Sequence, residues 1–163
     1  MTVDTLAKAG GLFAVFMFIH FAVDFVFQSH REAMAKHRDR WIRARHCAIY
    51  AAGFTPLFVL LWWDTAPWKI TVSWNVLFWS HFIEDTYIPV LLWVKHVRKP
   101  PEMKLATEEG TDEYGNFVIS KLDDAGRFRK FVSTPLGAIL MVAVDQIVHL
   151  TFLWVPVILA LWK

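Results

Sequence analysis

Val144-Asp145-Gln146-Ile147-Val148-His149-Leu150 lies inside an apolar stretch that runs over residues 133–162. About twenty apolar residues carry a helix across a bilayer core, so this stretch is long enough to span one. An Asp, a Gln and a His near its middle are out of place in hydrocarbon. A charged side chain at bilayer depth costs at least about 2.5 kcal/mol on insertion scales, so it normally faces the protein interior and has a task there. Asp145 and His149 are four residues apart and therefore share one helix face, a turn apart. Two earlier apolar stretches carry the same pair in the opposite order: His20 with Asp24, and His81 with Asp85.

The rest of the 163-residue chain agrees with a membrane reading. Its composition is 56% hydrophobic, with nine Trp and fourteen Phe, well above the apolar share of ordinary soluble domains. The length allows a single domain. Cys47 is the only cysteine, which excludes an internal disulfide and a paired-cysteine metal site. No cleavable signal peptide is expected, because the first apolar stretch runs directly into Asp24 and Gln28.

Four spans are predicted, over residues 9–28, 46–63, 70–94 and 134–162, giving an all-α, integral-membrane four-helix bundle. Pro56 is expected to kink the short second span. Arg31, Lys36, Arg38, Arg40, Arg43 and Arg45 fall in the first long connection. Lys95, Arg98, Lys99, Lys104, Lys121, Arg127, Arg129 and Lys130 fall in the second. Only Lys8, Lys69 and Lys163 lie on the other side. The positive-inside rule places both basic connections in the cytoplasm and both termini outside, as expected of a multi-pass protein of a bacterial inner membrane. Trp62, Trp63, Trp68 and Trp74 cluster around the short outer loop, where an aromatic belt would sit. Trp41 and Ile42 mark a short interfacial helix in the first cytoplasmic loop. The 95–130 connection is an insertion. Within it residues 116–120 read as a strand and 121–126 as a turn, so a small β-hairpin is expected over the membrane face.

Counted from the cytoplasmic ends, Asp24, Asp85 and Asp145 lie one to three turns deep, each with its His a turn further. His46 opens the second span, with Tyr50 one turn deeper. Helix bundles build metal sites from such inward-facing residues. His and carboxylate are the ligand set of Zn, Mn or non-haem Fe. The metal candidates are therefore His20, Asp24, His46, His81, Asp85, Asp145 and His149. They are too many for one tetrahedral ion. They serve either two ions, or one ion with His–Asp pairs that orient the ligands. A metal-bound water would act as a nucleophile near neutral pH, so hydrolysis of a lipid-like or phosphoester substrate at the cytoplasmic side follows. Gln28, Tyr50 and Glu84 are the candidates for catalytic or substrate-orienting roles, with Lys36, Arg43 and Arg45 for an anionic headgroup.

Other readings of the same residues stay open. Intramembrane His and Asp also build proton or ion relays, and two of the His would serve as haem ligands. A fourth possibility is a scaffold or phage interaction protein whose polar core only fixes helix register. The basic loops need no nucleic acid, since topology and anionic lipid account for them. Membrane lipids, a lipid or small-molecule substrate and a second copy of the chain are the partners in view.

The order of these motifs resembles a known family. His20-Phe21-Ala22-Val23-Asp24-Phe25-Val26-Phe27-Gln28 is similar to the opening HxxxDFxxQ element of the domain-of-unknown-function 3307 family, small bacterial and phage membrane proteins. His46-Cys47-Ala48-Ile49-Tyr50 resembles its His-x-x-x-Tyr element. Ser80-His81-Phe82-Ile83-Glu84-Asp85 resembles its third-span His-x-x-x-Asp, and Asp145-Gln146-Ile147-Val148-His149 its closing Asp-Gln-x-x-His. Glu84 departs from the pattern, which usually has an apolar residue there, and the 95–130 connection is not matched to any of these elements. The family is loosely similar to membrane-bound proteins described as metal-dependent hydrolases. By analogy alone, that implies a hydrolase.

Overall fold

The computed structural model describes residues 2–101, 107–111, 117–121 and 123–162. Parts of the predicted insertion, residues 102–106, 112–116 and 122, lie outside them. Helices dominate: α1 Val3–Phe21, α2 His30–Ala35, α3 Arg40–Gly53, α4 Thr55–Trp62, α5 Pro67–Glu84, α6 Ile88–Trp93, α7 Asp124–Val132, α8 Pro135–Phe152 and α9 Trp154–Leu161. Two strands, β1 Thr107–Thr111 and β2 Phe117–Lys121, pair antiparallel, with Thr107 opposite Lys121 and Thr111 opposite Phe117. The chain divides into two compact units, one of Met1–Tyr87 with Ile147–Lys163 and one of Ile88–Gln146.

Among the described residues, three helical stretches are long and apolar enough to cross a membrane: Val3–Val26, Arg40–Trp62 and Pro135–Leu161. The first continues α1 through a π-helical turn, Ala22–Val26. The second is interrupted at Phe54, because Pro56 enters the first turn of α4 and ends α3 ahead of it. The stretch read as one helix over 70–94 is two helices. α5 stops at Glu84, residues 85–87 turn, and Tyr87 adopts a left-handed φ of 60°. Pro89 in the first turn of α6 has no N–H to continue the ladder, so the chain restarts there. A left-handed non-glycine residue costs about 1 kcal/mol or more, and Tyr87 is held by stacking on His37, ring centroids 3.7 Å apart.

In the first unit α5 packs against α3, α4 and α9, and α1 against α9. The core is aromatic: Phe16, Phe54, Phe58 and Trp62 stack in sequence, closed by Leu77, Leu153 and Val157. Trp62 therefore belongs to this core and not to an aromatic belt, whereas Trp63 and Trp68 are exposed. Trp62 lies four residues after Phe58, on the same inward face of α4. Gly53 meets Val23 so closely that a Cβ there would collide with the Val23 methyls. A small residue is what lets α3 approach the π-turn at this point. At the far end of α5, Lys69 Nζ donates to Leu159 O (2.8 Å) and Trp162 O (2.7 Å), tying down the last turn of α9. The second unit has its own core of Val90, Val94 and Phe131, with Phe128, Leu140 and Met141 against them.

Candidate metal centre

Three helical segments of the first unit deliver four polar side chains to one buried place. Asp24 comes from the π-turn, which inserts an extra residue and swings this carboxylate inward; such turns recur at functional sites. His46 comes from α3, two turns in from its Asp39 cap. His81 comes from the last turn of α5, and Asp85 is that helix's C-cap. All four side chains are buried.

Their donor atoms converge. His46 Nε2 lies 2.9 Å from His81 Nε2 and 3.1 Å from Asp24 Oδ1. His81 Nε2 lies 3.5 Å from both Asp24 Oδ1 and Asp85 Oδ2, and His46 Nε2 lies 3.7 Å from Asp85 Oδ2. Metal bonds of about 2.1 Å put neighbouring donors ~3.0 Å apart in an octahedral shell and ~3.4 Å apart in a tetrahedral one. The observed spacings bracket both.

The hydrogen-bond pattern points the same way. The Gln28 amide is best satisfied with Nε2 donating to Asp24 O (3.3 Å) and Oε1 accepting from His46 Nδ1 (3.3 Å) and Lys36 Nζ (3.1 Å). With its proton on Nδ1, neutral His46 turns a bare Nε2 lone pair towards a carboxylate oxygen. His81 faces a similar conflict. A proton on its Nε2 leaves Nδ1 a buried acceptor with no hydrogen bond among the described residues, and a proton on Nδ1 sets two lone pairs 2.9 Å apart. Asp85 Oδ2 is also buried without a hydrogen bond. Buried polar atoms are nearly always satisfied, and a cation between these four atoms would satisfy them together.

Lys36 sits at the edge of the cluster, with Nζ 2.8 Å from Asp85 Oδ1, 3.4 Å from His46 Nε2 and 3.6 Å from Asp24 Oδ1. It follows α2, a six-residue helix started by a capping box: Ser29 Oγ accepts from Glu32 N, and Glu32 accepts from Ser29 N. The Ser29 hydroxyl and N–H hold the Glu32 carboxyl below its usual pKa. Glu32 also pairs with Arg45 at 3.2 Å. His37 Nδ1 binds Asp85 O at 3.1 Å, so the same turn grips the break after α5.

Tyr50, His20, Glu84 and His149 occupy neighbouring positions in the first unit. Tyr50 lays its ring flat on His81, centroids 3.9 Å apart and planes within 6°, and its hydroxyl bonds His20 Nδ1 at 3.0 Å. His20 is thus placed on Tyr50 and not among the converging donors. Glu84 is buried with an oxygen 3.2 Å from His149 Nε2, and this pair lies behind His81. Asp145 belongs to the second unit, where Gln146 Nε2 donates to its Oδ2 at 3.3 Å. Cys47 was not among the predicted ligands, yet its sulfur lies within ligand reach of His81 and Asp85. The spacing of Cys47 and His81 in the chain carries no signal for this; only the packing of α3 on α5 brings them together.

The family model described as "Protein of unknown function (DUF3307)" matches residues 12–122, and the chain belongs to that family. The match takes in the segments bearing His20, Asp24, His46, His81 and Asp85, and it ends before Asp145 and His149. No curated protein and no solved structure matches the chain.

Proposed function

We propose that this DUF3307 protein is a multi-pass membrane metalloprotein that binds one divalent transition ion, Zn, Mn or Fe, through Asp24, His46, His81 and Asp85. The observation that carries the proposal is the convergence of two imidazole Nε2 atoms and two carboxylate oxygens at 2.9–3.7 Å in a buried place. A single ion is preferred to two. Every candidate donor group draws on His81, and the Nε2 of that ring already faces the other three ligands.

Four protein donors leave room for a water or substrate on an octahedral or five-coordinate ion, so the activity proposed is metal-dependent hydrolysis of a phosphoester or lipid-like substrate. A bound water at such an ion is a nucleophile near neutral pH. In the topology proposed here both termini lie outside, so the metal ligands face the cytoplasmic half of the bilayer, next to the basic 31–45 loop. Gln28 fixes the His46 tautomer, and Tyr50 holds the plane of His81. These are positioning roles of the kind that tune ligands elsewhere.

Element-resolved mass spectrometry of detergent-purified protein tests the metal. Wild type is expected to carry about one ion per chain, and Asp24→Ala and His46→Ala to carry almost none while keeping wild-type helicity. His20→Ala is expected to keep the ion. Folded wild type that holds no metal and cannot be reloaded with Zn, Mn or Fe would overturn the proposal.

A further inference from the structure

Lys36 presents an ammonium to three of the four proposed ligands: Asp85 at 2.8 Å, His46 at 3.4 Å and Asp24 at 3.6 Å. It is only 8% exposed, although it comes from a basic loop where a solvated lysine would be the ordinary outcome. Two buried carboxylates beside one ammonium leave a net negative charge, so the ammonium neutralises the site only in part. A divalent ion seated between the same donors reverses that sign. It also draws on Asp85 through Oδ2, the other oxygen of the carboxylate that Lys36 holds through Oδ1, and like charges at this distance repel. Lys36 then shares one carboxylate with a divalent ion, and an anion placed beside both cations offsets their repulsion.

We propose that Lys36 is the internal cation of the metal-free site, and that metal binding releases it from Asp85 to hold a phosphoryl oxyanion against the ion. This rests on the metal reading above and goes on to name the ligand class. Arg43 adds to the case for a phosphoryl group. It lies one turn before His46 on α3, is buried against the Phe82 ring at 4.6 Å, and donates from Nη1 to His37 O at 3.5 Å. Its buried Nε has no hydrogen bond among the described residues. An ammonium, a guanidinium donor and a metal ion together suit a group with several charged oxygens. That group arrives either as free phosphate or as the monoester headgroup of a lipid, and the chemistry is the same in both.

The test uses the full chain with Mn(II), which relaxes the phosphorus nucleus of any phosphate bound next to it. Mn(II) affinity is read by electron paramagnetic resonance, and anion binding by 31P relaxation. One arm adds inorganic phosphate to protein in detergent, and the other places the protein in phosphatidylcholine nanodiscs with or without phosphatidic acid. In wild type, Mn(II) is expected to tighten binding of one of these phosphates by about tenfold, and that phosphate to tighten Mn(II) equally, as linkage demands. Response to inorganic phosphate assigns a soluble source, and response to phosphatidic acid alone assigns a headgroup.

Lys36→Met is expected to bind Mn(II) about threefold or more tightly in the absence of phosphate, since the competing cation is gone, and to lose the coupling. Lys36→Arg, which keeps the charge, is expected to retain most of it. A merely structural lysine would not give these opposite signs. The proposal is overturned if wild type binds Mn(II) but neither phosphate, or if Lys36→Met keeps the coupling. It is overturned as well if Lys36→Met, folded as judged by helicity, binds Mn(II) more weakly than wild type. Wild type that takes up none of Mn, Zn or Fe refutes the metal reading itself, and this inference falls with it.

Discussion

The same helices of the first unit build two interiors of opposite character. Phe16 on α1 is buried against Phe54 and Phe58, and one and two turns later His20 and Asp24 are buried among polar partners. α5 likewise runs from Leu77 in the aromatic core to His81 and Asp85 at the centre, and the α3–α4 pair runs from His46 to Trp62. The apolar half gains from close packing of rings and needs no ion. The polar half gathers carboxylates and imidazoles that desolvation penalises unless a cation compensates them. The difference teaches that the apolar residues should govern stability alone, whereas the polar residues should govern metal binding as well, although both sets share helices.

The largest effect expected is at Asp85. Asp85→Ala removes a proposed ligand and leaves the buried Lys36 ammonium without its 2.8 Å partner. Breaking one side of a buried ion pair costs about 3–5 kcal/mol, so denaturant unfolding of metal-free protein should show a loss of that order, together with loss of the ion. Double substitution with Lys36→Met should recover much of the stability but none of the metal. If the double variant is no more stable than the single one, the polar half is not held together as described. Phe58→Ala should separate the two effects. The cavity it leaves costs about 3–5 kcal/mol, while metal content stays near one ion per chain. Loss of metal in that variant would erase the distinction between the two halves.

Gly53 is where the halves are joined mechanically, because a Cβ there strikes Val23, one residue before Asp24 in the π-turn. Gly53→Ala should cost about 1–3 kcal/mol by overpacking. It should also weaken metal binding by about tenfold, since displacement of a ligand by a fraction of an ångström spoils the geometry. Titration of metal into the folded variant measures this. Unchanged affinity would show that the π-turn adjusts independently of its neighbour.

Much of this arrangement was legible in the chain. His20, Asp24, His46, His81 and Asp85 stand out because ionisable residues in apolar stretches have few innocent explanations, and the four-residue spacing puts each pair on one face. Other features left no mark. A π-turn has no sequence signature, so the inward swing of Asp24 was hidden. Lys36 stood with Arg43 and Arg45 as a candidate for an anionic headgroup, but its burial against Asp85 left no mark, since the positive-inside rule describes a segment and not the direction of one side chain. Glu84 and Asp85 fall inside the single span predicted over residues 70–94. The helix in fact ends there, and the two neighbours reach His149 and Lys36 respectively. The Pro89 that ends it was visible, but the break falls earlier than a proline alone dictates, where Tyr87 takes its left-handed turn.

The smallest effect concerns the helix that brings Lys36 to the polar half. α2 is six residues long, too short to persist unaided, so its capping box matters more than in a longer helix. The Glu32 carboxylate accepts from Ser29 N at 3.0 Å and Ser29 Oγ at 2.7 Å, which lowers its pKa below the ordinary 4.5. A depressed carboxyl binds its proton more weakly in the folded than in the unfolded chain. Its stabilising contribution is therefore complete above the unfolded value and is lost as pH falls from about 4.5 through the lower folded value. Ser29→Ala should cost about 1 kcal/mol near neutral pH through the lost cap. It should also bring the Glu32 titration back towards 4.5, so the gap between variant and wild type should narrow in acid. Side-chain carboxyl shifts of Glu32 followed by NMR against pH give the titration, and denaturant midpoints at two pH values give the gap. A gap that stays constant from neutral pH into acid would mean that α2, and with it the approach of Lys36, is set by the Arg45 pair and packing on α3 and not by its cap.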